Sequence, residues 1–291
     1  MPALTSLHRF WEKEMSEVEA ELERALATPP GGSDRLYAAM RHAVLGGGKR
    51  LRPILCIATH RSLAGHDPAI YPVSAAIEML HAYSLIHDDL PCMDDDDQRR
   101  GRPTVHVAFD EATAVLAGDA LQALAFGILT RHAAPEVVQV IARAVGPLGM
   151  AGGQMADLEA EGEIPTEELV LSIHRQKTGE LIAASVVTGG LMAGASGADL
   201  KALESYGRSL GLAFQIVDDI LELTIPAERL GKPVGSDLKH QKVTFPAAVG
   251  LEAAHTRAAA LIEEAEKALR AFSGDPALLV EMAEFVLARD H

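Results

Sequence analysis

Six aspartates lie within ten residues, between Asp88 and Asp97, and three arginines follow by residue 102. Like charges packed this densely repel one another, so each carboxylate needs a counter-charge or water. Carboxylate oxygens suit Mg²⁺, which binds through one or two of them together with substrate phosphates. A guanidinium binds phosphate in bidentate fashion. The pattern indicates a metal–diphosphate site, and a solvated acidic loop is the ordinary alternative for a charge run.

A second acid pair, Asp218-Asp219, lies in an otherwise apolar segment. Because a helix turns about 100° per residue, Gln215, Asp219 and Glu222 fall nearly in line with Asp218 beside them. Carboxylates on an apolar helix are costly unless a cation neutralises them. A surface stripe or a helix N-terminal pair is the alternative, but no helix start is signalled here. The pair therefore indicates a second metal-binding wall.

The first acid motif, which consists of Asp88, Asp89 and Asp94, needs a bend in the chain to bring its members together. His81, Ser84 and Asp88 share one helix face, whereas Asp94 would point elsewhere on an unbroken helix. Pro91 breaks the helix and lets Asp94 fold back toward Asp88. The two acid motifs could then face each other across a cavity in the core of a helix bundle.

Several cations accompany the acid motifs. The segment 47–53, Gly-Gly-Lys-Arg-Leu-Arg-Pro, predicts an anion cradle that leads into a helix. Lys177, Lys232 and Lys242 add further positive charges. Each lysine alone is ordinary on a protein surface, so the signal is their occurrence with two acid motifs in an acidic protein.

Composition favours an all-α fold that positions these groups. Hydrophobic residues make up 48% of the chain and aromatic residues only 4%, which suits a helical core better than a sheet. No break is long enough for an interdomain linker, so we expect a single domain over residues 1–291, a bundle of about ten helices around a central cavity. The predicted helices are 4–27, 34–45, 53–63, 68–89, 104–131, 135–149, 166–190, 198–223, 242–271 and 275–288.

Composition also excludes several classes of protein. A net charge of −15 argues against a nucleic-acid partner. Two cysteines are too few for a disulfide framework or a zinc cluster, and they predict a reducing, cytoplasmic location. Residues 1–12 have no signal-peptide core. Residues 181–200 carry no charge before Asp199 but are rich in Ala, Gly, Ser and Thr, so we interpret them as a buried helix and expect no stable membrane insertion.

Motifs in order along the chain carry a family resemblance. They are the 47–53 cradle, the run from His81 to Asp94, Arg99-Arg100-Gly101, Gly118-Asp119, Gly152-Gly153-Gln154, Lys177-Thr178-Gly179, Phe214-Gln215 with Asp218-Asp219, and residues 232–246. The chain resembles the trans-isoprenyl diphosphate synthases, most closely the bacterial short-chain farnesyl or geranyl diphosphate synthases.

The resemblance implies an isoprenoid synthase-like fold, a homodimer and a prenyltransferase. The implied reaction joins isopentenyl diphosphate head-to-tail to an allylic diphosphate, dimethylallyl or geranyl diphosphate, with three Mg²⁺ ions that Mn²⁺ can replace. The implied metal ligands are Asp88, Asp89, Asp94, Asp218, Asp219 and Glu222. The groups implied to bind the allylic diphosphate are Arg99, Lys177, Thr178, Gln215, Lys232 and Lys242, and those implied to bind isopentenyl diphosphate are Gly48, Lys49, Arg52, His81 and Arg100.

Product length in the resembled family depends on residues four and five positions before the first aspartate, here Ser84 and Tyr83. Tyr83 limits how far the growing prenyl chain can extend, and the small Ser84 leaves room beyond ten carbons. We therefore expect farnesyl diphosphate, with 15 carbons. Glu222 stands where the family usually has Asp. Geranyl or geranylgeranyl diphosphate synthase, a class I terpene cyclase and a non-catalytic synthase subunit are the alternatives.

Overall fold

Ala- and Leu-rich segments form helices throughout residues 4–224 and 242–289, which the computed structural model describes. Side chains cap several of them: Ser33, Asp110 and Thr166 each accept a hydrogen bond from the first turn of a helix. The helices are α1 (Leu4–Ala25), α2 (Asp34–Val44), α3 (Leu51–Ser62), α4 (Ile70–Asp88), α5 (Val105–Ala108), α6 (Glu111–His132), α7 (Pro135–Val145), α8 (Met150–Glu159), α9 (Glu167–His174), α10 (Glu180–Met192), α11 (Gly197–Thr224), α12 (Phe245–Val249), α13 (Leu251–Ala268) and α14 (Ala277–Ala288). The all-α prediction is confirmed.

Two short irregular elements interrupt this pattern. Residues Arg175–Gly179 form a π-helical turn between α9 and α10, and Leu269–Ala271 a 3₁₀ turn after α13. A two-residue antiparallel ribbon pairs β1 (Gln98–Arg99) with β2 (Arg102–Pro103) just after the first acid motif.

Helix α10 lies at the centre of the bundle, where it packs against α3, α7 and α11. Leu181, Ile182 and Val186 are fully buried. This burial agrees with the interpretation of a core helix over residues 181–190, but the expected single helix over 181–200 ends at Met192, and α11 begins at Gly197. Among the described residues, only α6 is long and apolar enough to cross a membrane by length and composition, and 44% of its apolar window is buried. A core helix passes the same test, and α6 packs against α4 along its length.

Some predicted boundaries are wrong, for local reasons. The helix expected over 104–131 is two helices, because Asp110 leaves the helical conformation to cap α6. The helix expected over 242–271 breaks at Gly250, where φ is +86°. Helix α8 was not predicted, since Gly149, Gly152 and Gly153 lower its helix propensity.

Candidate active site

The first acid motif forms where α4 ends. Helix α4 stops at Asp88, and the chain turns so that the Asp94 N–H donates to the Asp88 carbonyl at 2.8 Å. Asp95 adopts a left-handed φ of +49° in this turn. The backbone thus makes the return after Pro91 that the sequence predicts, and Asp94 comes back toward the end of α4.

The carboxylates of this motif differ in their neutralisation. Asp89 is buried and accepts from Arg99 at both oxygens: Nε and Nη2 donate to Oδ1 at 2.9 and 2.6 Å, and Nε also donates to Oδ2 at 3.1 Å. No cation of the described residues forms an ion pair with Asp88. Burial raises the pKa of Asp88 to about 6, Lys177 acts against the rise, and the nearby Asp94 adds to it. Asp88 is therefore a carboxylate for which the described part of the chain supplies no bound counter-ion.

Two lysines meet at one oxygen of Asp157. Lys177 lies 2.7 Å and Lys242 2.9 Å from Asp157 Oδ2, and Lys242 also lies 2.9 Å from Asp94 Oδ1 and 3.1 Å from Glu161. Burial acts against the charge of Asp157, but the two lysines hold its pKa below the usual range. This lysine–carboxylate cluster connects the first acid motif to α8 and to the π-helical turn.

The π-helical turn carries Lys177 and Thr178 between neighbouring helices. Such turns place side chains where a regular helix would not, and they are frequent at functional sites. Gly153 of α8 and Gly211 of α11 approach its backbone so closely that a Cβ on either would lie within 2.7 Å of a Cα in the turn. The two glycines therefore allow α8 and α11 to close on the turn from two directions.

A hydrogen-bond chain orients Thr178. Asp219 can only accept, so the Gln215 amide presents its NH₂ to Asp219 at 3.1 Å and its oxygen to Thr178. The Thr178 hydroxyl donates to that oxygen at 2.7 Å. The hydroxyl proton of Thr178 thus points at Gln215, and the lone pairs of the hydroxyl oxygen point away from Gln215.

The members of the second acid pair face different partners. Asp219 is buried, and its Oδ2 accepts the Phe245 N–H at 2.8 Å and lies 3.3 Å from His174 Nε2. Asp218 is 39% exposed, and its Oδ1 lies 2.8 Å from Arg289, whose guanidinium covers the Phe214 ring at 3.8 Å. Asp218 is only partly exposed, so desolvation by the surrounding protein still raises its pKa, with Arg289 acting against the rise. Asp218 is therefore the member of the pair that is open to solvent.

A basic pocket of about 40 Å³ lies next to the first acid motif, and His81, Asp89, Arg99 and Arg100 are among its lining residues. Burial lowers the pKa of His81 far below its usual value, and the charges of Arg52, Arg100, Arg99 and Arg50 lower it further. His81 is neutral in this surrounding, and the field of the arginines favours an anion.

The remaining predicted site residues that lie within the described ranges form none of the contacts given above. Gly48 has a φ of +136° and lies against the Arg100 guanidinium, so this cradle residue must be glycine. Lys49 is exposed, Glu222 lies one turn after Asp218 on α11, and Lys232 lies outside the described residues. Within residues 4–224 and 242–289, no three His, Cys, Asp or Glu side chains are close enough to hold a metal ion by themselves. A metal here would need phosphate ligands to complete its shell.

Sequence reasoning missed three residues of this site: Asp157, His174 and Arg289. Asp157 follows Gln154 by one helical turn, so the Gly152-Gly153-Gln154 motif could have led to it. His174 precedes Lys177 by three residues, which was a weaker signal. Arg289 carries no local signal, since only tertiary packing brings it to Asp218.

Comparison with known proteins gives this geometry its family. The polyprenyl synthetase family profile matches residues 33–273. The chain belongs to the polyprenyl synthetase family. The resemblance to trans-isoprenyl diphosphate synthases is thereby confirmed.

Relatives from this family cover almost the whole chain. A farnesyl diphosphate synthase of Geobacillus stearothermophilus is 44% identical over 298 aligned positions, which are 99% of this chain and 100% of the relative. A geranylgeranyl diphosphate synthase of Cyanophora paradoxa is 41% identical over 94% of this chain and 93% of its own. A geranyltransferase of Helicobacter pylori, solved with magnesium and isoprenyl diphosphate, is 33% identical with a TM-score of 0.84, over 99% of this chain and 97% of that one.

Proposed function

We propose that this protein is a Mg²⁺-dependent prenyltransferase that condenses isopentenyl diphosphate with dimethylallyl and geranyl diphosphate to give farnesyl diphosphate. We expect a single polyprenyl synthetase domain over residues 1–291, located in the cytoplasm. One observation carries the proposal: Lys242 binds both Asp94 of the first acid motif and Asp157, which also holds Lys177. Lysines and acid-motif carboxylates therefore lie side by side, which is the arrangement that a metal–diphosphate complex needs.

The donor set fits Mg²⁺. Asp88 lacks a counter-ion among the described residues, Asp218 is partly open, and all candidate donors are the hard oxygens that Mg²⁺ prefers. We assign the metal to Asp88, Asp89, Asp94, Asp218, Asp219 and Glu222, with three ions and with Mn²⁺ as a possible substitute. When bound, Mg²⁺ supplies positive charge to the departing diphosphate.

The chain's own residues stabilise the charges that form as the allylic C–O bond breaks. Lys177 and Lys242, with Arg99 and Lys232, hold the diphosphate whose negative charge grows in the transition state. Thr178 directs its lone pairs away from Gln215, so it stabilises the allylic cation by its dipole without donating a proton. The π electrons of isopentenyl diphosphate then form the new bond to C1 of the cation. The diphosphate that has left takes the proton, and a new double bond results.

The second substrate is held by the basic pocket and the cradle. Arg100 and Arg52 provide cations, the neutral His81 provides a hydrogen bond, and Lys49 extends from the glycine loop. A cyclase has no second diphosphate to bind, so this pocket favours the condensing enzyme.

The test is product chromatography with purified protein, Mg²⁺ and labelled isopentenyl diphosphate. Dimethylallyl and geranyl diphosphate are supplied as separate starters, and both should yield a 15-carbon product. A product of 10 or of 20 carbons would instead make the protein a geranyl or a geranylgeranyl diphosphate synthase. A cyclic hydrocarbon from farnesyl diphosphate alone would show a cyclase, and a lack of label incorporation by the protein alone would show a non-catalytic subunit.

Product length should depend on Tyr83 and Ser84. Tyr83 is buried, its ring lies edge-on to His87 with the ring centroids 5.9 Å apart, and burial together with the Asp88 charge raises its pKa to about 12. Ser84 donates back to the His81 carbonyl at 2.9 Å and occupies little space. We expect Ser84→Phe to shorten the main product to 10 carbons, and Tyr83→Ala to lengthen it to 20 carbons. Ser84→Ala is the control and should keep the 15-carbon product. Unchanged chromatograms for both variants would show that Tyr83 and Ser84 do not limit the length of the product.

Asp157→Asn should destabilise the protein and increase the rise in Tm that diphosphate produces. The change leaves Lys177 and Lys242 close together without their shared anion, at a cost of about 2 kcal/mol, or about 5 °C in Tm. Inorganic pyrophosphate can replace that anion, so it should raise the Tm of the variant more than that of the wild type. Glu161→Gln is the control, because the Glu161 side chain is 34% exposed and, within the described ranges, forms an ion pair with Lys242 alone, so its Tm should change by less than about 2 °C. Equal pyrophosphate shifts in Asp157→Asn and the wild type would contradict the bridging role.

A homodimer is supported by the outer face of α6. Val115 and Leu116 are 41% and 57% exposed there, and Val107 of the adjoining α5 is 48% exposed. An apolar face of this kind is typical of a protein interface. Leu116→Glu should convert the dimer to a monomer in analytical ultracentrifugation. Lys201→Glu, an exposed position on α11, should not change the mass.

A further inference from the structure

The loop that carries Lys49 needs support from other parts of the chain. It joins α2 to α3 through Gly46, Gly47 and Gly48, and the latter two have φ values of +95° and +136°. Glycine loses more conformational freedom on ordering than any other residue. Gly47, Gly48 and Lys49 are also exposed. The position of Lys49 therefore depends on contacts from outside the loop.

Helix α1 supplies contacts at the end of this loop. The Trp11 indole Nε1–H donates to the Lys49 carbonyl at 2.9 Å. The next residue, Arg50, is buried and donates to Glu19 of α1 at 2.7 Å and to Glu78 of α4 at 2.9 Å. The buried Arg50 fixes where α3 begins, and Trp11 fixes the peptide just before it.

The indole is itself held in place. Its ring lies against Phe285 of α14, with the ring centroids 5.1 Å apart. A cavity of about 520 Å³ adjoins this pair, and Leu7, Met15 and Lys49 are among its lining residues. The loop is thus not packed tightly on that side. The indole hydrogen bond is the directional contact that α1 makes with the Lys49 peptide.

We propose that Trp11 is a positioning residue for isopentenyl diphosphate, because its indole N–H fixes the Lys49 peptide and so directs the Lys49 ammonium into the site. This inference rests on the proposed function, which assigns Lys49 to that substrate. Arg100, a lining residue of the basic pocket, donates to the Gly47 carbonyl, so the loop that carries Lys49 borders that pocket. Trp11 itself does not touch the reacting atoms in this arrangement.

The sharpest test replaces only the N–H. Incorporation of β-(3-benzothienyl)alanine at position 11 keeps the shape of the ring and exchanges N–H for sulfur. We expect the KM for isopentenyl diphosphate to rise about five-fold, the value of one hydrogen bond. The kcat and the KM for geranyl diphosphate should stay within two-fold of wild type. Phe285→Leu is the control: it keeps the donor and loosens the ring packing, so it should lower Tm without this selective rise in KM.

A second measurement needs no variant. Trp11 is the only tryptophan of the chain, so tryptophan fluorescence reports on the surroundings of this one indole. Isopentenyl diphosphate should shift its emission, whereas an equal concentration of dimethylallyl diphosphate should not. An unchanged KM for isopentenyl diphosphate in the benzothienyl variant, or no emission shift, would overturn the inference. Wild-type protein that makes no prenyl product would instead overturn the proposed function.

Discussion

Asp88→Asn should lower kcat by about 10³-fold while leaving the fold intact. The amide has the shape of the carboxylate but lacks the charge that the metal–diphosphate complex requires. Without Mg²⁺ the variant should be at least as stable as the wild type, because Asp88 lies near Asp89 and Asp94 and has no ion pair among the described residues. Initial rates with geranyl and isopentenyl diphosphate measure the first effect, and thermal unfolding with EDTA measures the second.

Asp97→Asn is the matched control for this experiment. Asp97 belongs to the same run of aspartates and loses the same charge, but it is exposed and contributes its backbone carbonyl to Thr104. We expect its activity to stay within two-fold of wild type. Equal losses for both variants would mean that the run acts only through its total charge, and the assignment of individual ligands would then be wrong.

Gly153→Ala should be the most damaging conservative change in the site. A Cβ at this position would lie 2.6 Å from the Cα of Lys177 and 2.7 Å from the carbonyl carbon of Gln176, and these backbone atoms cannot move aside by a rotamer change. The overpacking should cost about 2–3 kcal/mol and lower Tm by about 5 °C. Displacement of Lys177 should also lower kcat/KM for the allylic substrate by about 10²-fold. Scanning fluorimetry and initial rates measure the two effects.

Gly197→Ala separates the clash from the loss of glycine. Gly197 begins α11, and a Cβ there would meet no atom within 4 Å. A compatible Gly→Ala change stabilises by about 0.5 kcal/mol through the unfolded chain. This control should therefore match or slightly exceed the wild-type Tm with unchanged activity. Wild-type activity in Gly153→Ala would show that α8 and the π-helical turn do not need their close approach.

The sequence predicts correctly those parts of the site whose geometry depends on a single short segment of the chain. The break at Pro91 predicts the return of Asp94, and the observed Asp94–Asp88 backbone hydrogen bond has that geometry. Helical periodicity likewise places Gln215 and Asp219 on one face, where they form a hydrogen bond. In both cases the sequence separation is six residues or fewer, so the backbone alone fixes the outcome.

Tertiary packing decided what periodicity could not. Asp218 and Asp219 are neighbours in sequence, but one helical step of about 100° directs them to Arg289 and to Phe245, respectively. The meeting of Lys177 and Lys242 at Asp157 depends on how α8 packs against the π-helical turn. Helix propensity also fails to predict α8, because its glycines would weaken an isolated helix. In the folded protein the same glycines allow close packing against neighbouring backbone.

The π-helical turn holds one residue more than a continuous α-helix through α9 and α10 would. Residues 175–179 contain a wider loop of backbone than an α-helical turn, with the Glu180 N–H donating to the Arg175 carbonyl. Deleting one of these residues would restore an unbroken α-helix with α10 in nearly the same orientation relative to α9, because the wider turn takes up the one extra residue. Leu181 and Ile182 would then stay in the core that they now fill, but Lys177 and Thr178 of the turn would point in other directions. In this segment the length of the chain, as much as the identity of its side chains, is under constraint.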